Sequence, residues 1–66
     1  MQKLMAYLER ICPSVPSDDL MATAEELIRF KGFGSMNTEA SYRRELTYLY
    51  GYPEHQAKRI TEIVWS

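Results

Sequence analysis

The chain has 66 residues, of which 45% are hydrophobic, and its eight basic and nine acidic residues give a formal net charge of −1. A chain this short forms one domain (residues 1–66) and hides only about 60% of the surface that its unfolded form exposes, which argues against a large buried catalytic cleft. The charge balance argues against general electrostatic attraction to nucleic acid or anionic membranes, and the hydrophobic content argues against intrinsic disorder.

Cysteine use and hydropathy indicate the cellular compartment. Cys12 is the only cysteine, so neither an intrachain disulfide nor a cysteine-based metal site is expected, which fits a reducing interior. No segment approaches the roughly 20 apolar residues that a membrane-spanning helix needs. The sequence therefore predicts a cytoplasmic protein that makes no use of a membrane.

The first two predicted helices are defined by apolar spacing and by prolines. Apolar residues spaced three and four apart form one helical face near the N-terminus: Leu4, Tyr7, Leu8, Ile11 and Cys12. Pro13 ends this helix, because its ring cannot continue the hydrogen-bond ladder. Ser17 is a candidate N-cap for the second helix, with Asp18 and Asp19 at the positive end of its dipole. Its apolar stripe is Leu20, Ala24, Leu27 and Ile28, and Gly32 is the predicted stop.

A loop then leads to the third predicted helix. Phe33 and Met36 are expected to tuck into the core from this loop, and Asn37 or Thr38 can cap the helix that follows. The apolar stripe of the third helix comprises Tyr42, Leu46, Leu49 and Tyr50.

A short connection between the third and fourth helices is the strongest local signal. Glycine suits the left-handed position just past a helix end, and proline suits the first helical turn, so Gly51 and Pro53 predict a stop and a start with only Tyr52 between them. The fourth helix is predicted from Pro53 to about Trp65. The sequence therefore predicts an all-α fold, a small single domain of four short helices.

No catalytic constellation is visible in the sequence. His55 is the only histidine, and Cys12 has the character of a small core residue rather than of an activated nucleophile. The expectation is a protein that is not an enzyme and that has no catalytic residues, metal, cofactor or small-molecule substrate.

Residues 46–60 resemble the helix-turn-helix of DNA-binding proteins, within a segment of about residues 40–65. The resemblance implies that the fourth helix reads DNA. The residues that would then contact bases or phosphates are His55, Gln56, Lys58, Arg59 and, from the preceding helix, Arg43. Thr47, Glu54 and the slightly acidic overall charge depart from the pattern of that family, which makes a DNA-binding regulator the alternative function.

The same segment also resembles the helix-loop-helix of ubiquitin-associated domains. Tyr50-Gly51-Tyr52-Pro53 stands where that family has a Met-Gly-Phe type of loop, and Ala57 follows at the family's distance. This resemblance implies a hydrophobic recognition patch around Tyr50 and Tyr52.

The leading interpretation comes from the aromatic residues. So short a chain has little room to bury them all, and exposed tyrosine and tryptophan are typical of interface hot spots. The predicted partner-binding residues are Tyr48, Tyr52, Trp65 and Arg44. The sequence thus favours a small regulatory or inhibitory protein–protein interaction module, whose partner is another protein or a second copy in a homodimer, with DNA as the alternative partner.

Overall fold

A computed structural model describes all 66 residues and contains four α-helices and no strand. Helix α1 spans Gln2–Ile11, α2 spans Ser17–Arg29, α3 spans Glu39–Tyr50 and α4 spans Glu54–Val64, with a short 3₁₀ turn at Gly34–Met36. The predicted all-α class with four short helices is confirmed.

The start of α2 differs from the prediction. Ser17 is the first helical residue and makes no capping bond, whereas Pro16 occupies the N-cap. The Pro16 carbonyl already accepts the first helical hydrogen bond, from the Leu20 N–H at 3.1 Å. Asp18 and Asp19 lie in the first turn as expected, where their negative charges interact favourably with the partial positive charge of the helix N-terminus.

The end of α2 also comes earlier than predicted. The helix stops at Arg29, and the next residues wind through a turn in which the Phe33 N–H donates to the Phe30 carbonyl at 3.1 Å. Gly32 lies beyond this end with a φ of 85°, and its N–H donates to the Met36 carbonyl at 2.9 Å. Gly32 therefore closes the loop rather than the helix.

Helix α3 begins with a reciprocal cap. The Thr38 hydroxyl accepts the Ser41 N–H at 3.1 Å, and the Ser41 hydroxyl accepts the Thr38 N–H at the same distance. Two N–H groups that the helix cannot satisfy internally are thus paired. Of the two residues predicted as caps, Thr38 fills the role.

The connection between α3 and α4 follows the prediction closely. Gly51 has a φ of 75°, the left-handed conformation that the sequence predicts. The N–H groups of Gly51 and Tyr52 donate back to the carbonyls of Thr47 and Leu46, both at 3.2 Å. Pro53 is the N-cap of α4 rather than its first residue, a shift of one position.

The core lies where the helices meet. α1 packs against α2 and α4, while α3 packs against α4 and the 3₁₀ turn. Ten apolar residues are buried there: Leu4, Leu8, Leu20, Ala24, Leu27, Met36, Tyr42, Leu46, Ala57 and Ile60.

Four residues predicted to face the core are exposed instead. Leu49 is 68% exposed and Phe33 is 63% exposed, while Ile28 and Tyr50 are exposed to a smaller extent, 40% and 37%. No element covers these positions, because the core is small and α2 and α3 do not pack closely on each other. Tyr50 instead uses its hydroxyl, which donates to Glu26 Oε1 of α2 at 3.0 Å.

A second tyrosine makes the buried connection between α2 and α3. Tyr42 is fully buried, as predicted, and its hydroxyl donates to the Leu27 carbonyl at 2.6 Å. That carbonyl lies in the last turn of α2 and accepts no backbone N–H, so the tyrosine satisfies a group that the helix leaves free. This buried bond, together with the exposed bond from Tyr50 to Glu26, links α3 to α2.

Replacing Gly51 tests the turn. We expect Gly51→Val to lower the free energy of unfolding by about 1–2 kcal/mol, since a side chain is disfavoured in the left-handed conformation. No atom lies within 4 Å of a Cβ added at this position, so the expected cost arises from the left-handed backbone conformation and not from a clash of that carbon. Gly51→Asn is the control, because asparagine tolerates this conformation. Equal melting temperatures for the valine variant and the wild type would contradict the prediction.

Alkaline pH tests the tyrosine connection. Burial raises the pKa of Tyr42 well above its usual value of 10.0, and negative charge on Tyr50 or Tyr52 would raise it further. As pH rises past about 10, the unfolded chain loses this proton while the folded protein keeps it, so folding stability is complete below that pH and falls above it.

We expect Tyr42→Phe to cost about 1–3 kcal/mol at neutral pH, because the Leu27 carbonyl loses its only donor. The variant should also lose less stability above about pH 10, with a residual slope from Tyr50 and Tyr52, whose pKa values burial also raises. Urea unfolding followed by circular dichroism measures both effects. Parallel pH profiles for the two proteins would show that Tyr42 does not carry the alkaline sensitivity.

Candidate binding groove

An open groove runs between the outer faces of α3 and α4. It has a volume of about 690 Å³. Its lining, which we call the α3–α4 groove, consists of Ala40, Arg43, Arg44, Thr47, Tyr48, Glu54, His55 and Lys58. Six of the eight lining residues have polar or charged side chains, so the groove can offer charges and hydrogen bonds to a ligand.

The helical hairpin explains why the groove exists. The short turn at Gly51 brings the two helices together antiparallel, and the buried side chains Leu46, Ala57 and Ile60 join them on the inner side. On the outer side, the small residues Ala40 and Thr47 stand among long side chains and leave room. The turn signal in the sequence thus leads directly to this surface.

Positive charge predominates in the groove. Arg43, Arg44 and Lys58 face a single lining carboxylate, that of Glu54. Arg44 has a partner of its own, since its Nε lies 3.9 Å from Glu45 Oε1, whereas Arg43 and Lys58 have no carboxylate within 4.0 Å. Lys58 forms no ion pair with Glu54 or Glu62, the carboxylates four residues before and after it on α4. The groove can therefore neutralise an incoming anion.

A smaller cleft continues the groove along the same pair of helices. It has a volume of about 350 Å³ and shares Ala40, Arg43 and Lys58 with the larger one. Its remaining lining residues are Glu39, Thr61 and Glu62. The Thr61 hydroxyl is buried and donates to the Ala57 carbonyl at 2.7 Å, so it is not free for a ligand.

The structure brings together five of the residues predicted as binding residues. Two are predicted protein contacts, Tyr48 and Arg44, and three are predicted DNA contacts, His55, Lys58 and Arg43; all five line the α3–α4 groove. The two predicted functions therefore compete for one surface.

The other predicted binding residues lie outside this groove. Gln56 is half-buried, and Arg59 forms an ion pair with Glu62 at 3.5 Å. Tyr52 is half-buried against the core, with its ring centroid 6.4 Å from that of Tyr50. The patch implied around these two tyrosines is thus partly used within the protein.

Trp65 packs within the protein rather than standing free. Its ring meets that of Tyr42 edge to face at a centroid distance of 5.9 Å, and Lys31 Nζ lies over the ring, 5.2 Å from its centroid. The indole N–H is buried and has no acceptor. Trp65 therefore belongs to the edge of the core, away from Tyr48.

Three of the eight lining residues, Thr47, Glu54 and Ala40, were not predicted as binding residues, and a signal existed for Ala40. Together with four other residues of α3 it lies at helical spacing on one outer face: Ala40, Arg43, Arg44, Thr47 and Tyr48. The pattern marks a continuous face, but only the packing of α4 beside it turns that face into a groove wall.

The structure offers no arrangement for holding a metal. No three histidine, cysteine, aspartate or glutamate side chains come close enough together to hold an ion. The longest helix, α2, has 13 residues, and no helix combines the length and hydropathy that a bilayer-spanning segment needs.

No family model, curated protein or solved structure matches the chain. Function is therefore inferred from the groove itself.

Substitution of two aromatic residues, Trp65 and Tyr48, tests which of them packs against the core. We expect Trp65→Ala to cost about 2–3 kcal/mol, because it removes a ring packed on Tyr42. Tyr48→Ala should change stability by no more than about 0.5 kcal/mol, because that side chain makes little contact with the rest of the protein. Thermal melting followed by circular dichroism measures both. Trp65→Phe is the control, since it keeps an aromatic ring and removes the unsatisfied N–H; equal stability of the alanine variants would contradict the assignment.

Proposed function

We propose that the protein is a small non-enzymatic regulatory module that binds another protein through the α3–α4 groove. The observation that carries the proposal is the position of Tyr48, which is 78% exposed at the edge of a groove that also presents Arg43 and Arg44. Tyrosine and arginine are the residue types most enriched in the hot spots of protein interfaces.

Exposed apolar surface next to Tyr48 supports the same function. Leu49 follows Tyr48 in the chain and is also largely exposed, so the last turn of α3 presents both apolar and aromatic surface. A partner that covers this turn would remove that apolar surface from water, which favours association. The residues in the groove would then supply polar specificity beside an apolar contact.

DNA binding is the second candidate, and one observation favours it. His55 and Lys58 of α4 line the same groove as Arg43 of α3, which is the set that a reading helix and its supporting helix would present. Two observations weigh against it: Arg59 is paired with Glu62, and the carboxylates of Glu39 and Glu54 border the groove. A duplex presents phosphates along its whole length and would meet these carboxylates.

Affinity capture with matched variants tests the proposal. Tagged wild-type protein and Tyr48→Ala are used to capture proteins from the native lysate, which are quantified by mass spectrometry. Phe33→Ala is the control, because it also removes an exposed aromatic ring but lies in the loop before α3. Sedimentation of the wild type reports whether the partner is a second copy.

We expect at least one protein to be retained by the wild type and by Phe33→Ala but lost with Tyr48→Ala. Its affinity for the purified tyrosine variant should fall by about 30-fold, corresponding to the roughly 2 kcal/mol that defines a hot-spot residue. Capture that does not depend on Tyr48 would contradict the proposal. Salt-sensitive binding of duplex DNA that is lost with Lys58→Ala would support the second candidate instead.

A further inference from the structure

The charged residues follow a definite order along the two joined clefts. Because α3 and α4 are antiparallel, Glu39 at the start of α3 lies at the same end as Glu62 near the end of α4. Arg43 and Lys58 line both clefts and so occupy the shared centre. Arg44, His55, Glu54 and Tyr48 line the far end.

The two central cations are left without intramolecular partners. Each has carboxylates in the same cleft lining, yet neither Arg43 nor Lys58 lies within 4.0 Å of one. Glu62 is occupied by Arg59, at 3.5 Å. One cation without a carboxylate partner on each helix therefore lines both clefts.

From this order of charges we infer that the groove binds an acidic segment of the partner protein, with its carboxylates between Arg43 and Lys58 and an apolar side chain against Tyr48. This rests on the proposed function and specifies the chemistry of the partner. Carboxylates fit because arginine can bind them through paired hydrogen bonds, which are about twice as strong as those between neutral groups.

The carboxylates that border the cations limit the length of the acidic run. Glu39 and Glu62 close one end and Glu54 lies near the other, so a run of negative charge longer than the central zone meets like charges. A short acidic run fits between these carboxylates, whereas an extended polyanion would be repelled by them. The same order gives the bound segment one preferred direction, with its apolar residue at the Tyr48 end.

Calorimetric titration of the purified full chain with synthetic peptides tests the inference. The probe is a short peptide in which a few glutamates are followed by leucine, and the comparison peptide has glutamine in place of each glutamate. The protein variants are Arg43→Glu and Lys58→Glu. Lys3→Glu is the matched control, because it makes the same charge change on exposed α1, outside both clefts.

We expect the glutamate peptide to bind at least about tenfold more tightly than the glutamine peptide, a difference of about 1.4 kcal/mol. Either groove variant should abolish this preference, and Lys3→Glu should keep it. A lysine-containing peptide should bind Arg43→Glu better than it binds the wild type. Circular dichroism checks the fold of each variant, and Arg43→Gln and Lys58→Gln replace any that unfold.

The failures of this inference and of the proposed function can be told apart. Equal binding of the two peptides would overturn the inference that the groove binds an acidic segment. The proposed function would still stand if a lysate partner required Tyr48. Tighter binding of duplex DNA than of the glutamate peptide, dependent on Arg43 and Lys58, would also overturn it and assign the groove to nucleic acid. If no lysate partner depends on Tyr48 and the peptides bind equally, both fail.

Discussion

The hydrogen bond from the Tyr42 hydroxyl to the Leu27 carbonyl is the constraint on which the rest of the arrangement depends. Helices α2 and α3 both contribute side chains to the single buried core. The bond joins the last turn of α2 to the fourth residue of α3, and both residues are buried. The groove itself lies between α3 and α4, which the turn at Gly51 and their buried contacts hold together, and the bond positions this hairpin relative to α2.

Local signals predicted the helices because their causes are local. Proline ends α1, and the left-handed glycine at position 51 ends α3, whatever the rest of the chain does. The predicted helix boundaries differ from the observed ones by one to three residues. The exact end depends on which carbonyl accepts the first helical hydrogen bond and which N–H donates the last one. Thus the N-cap of α2 is Pro16 rather than Ser17, and the helix ends at Arg29, before Gly32.

Burial was predicted less well, because periodicity identifies a helix face without showing what covers it. Leu49 lies on the expected stripe and yet faces water, whereas Trp65 was expected at a partner surface and packs on Tyr42. The candidate site shows the same limit. Arg43 and Tyr48 share one face of α3 by spacing alone, but the joining of Lys58 to them is a property of the packed hairpin.

The place of Trp65 has a practical consequence for spectroscopy. It is the only tryptophan in the chain, and it contacts a tyrosine ring and an ammonium group, with its indole N–H out of water. Its fluorescence therefore reports the integrity of the core, while the groove residues lie elsewhere. A shift of its emission on adding a ligand would mean that the helices have moved, and a constant emission would mean that the groove fills without repacking.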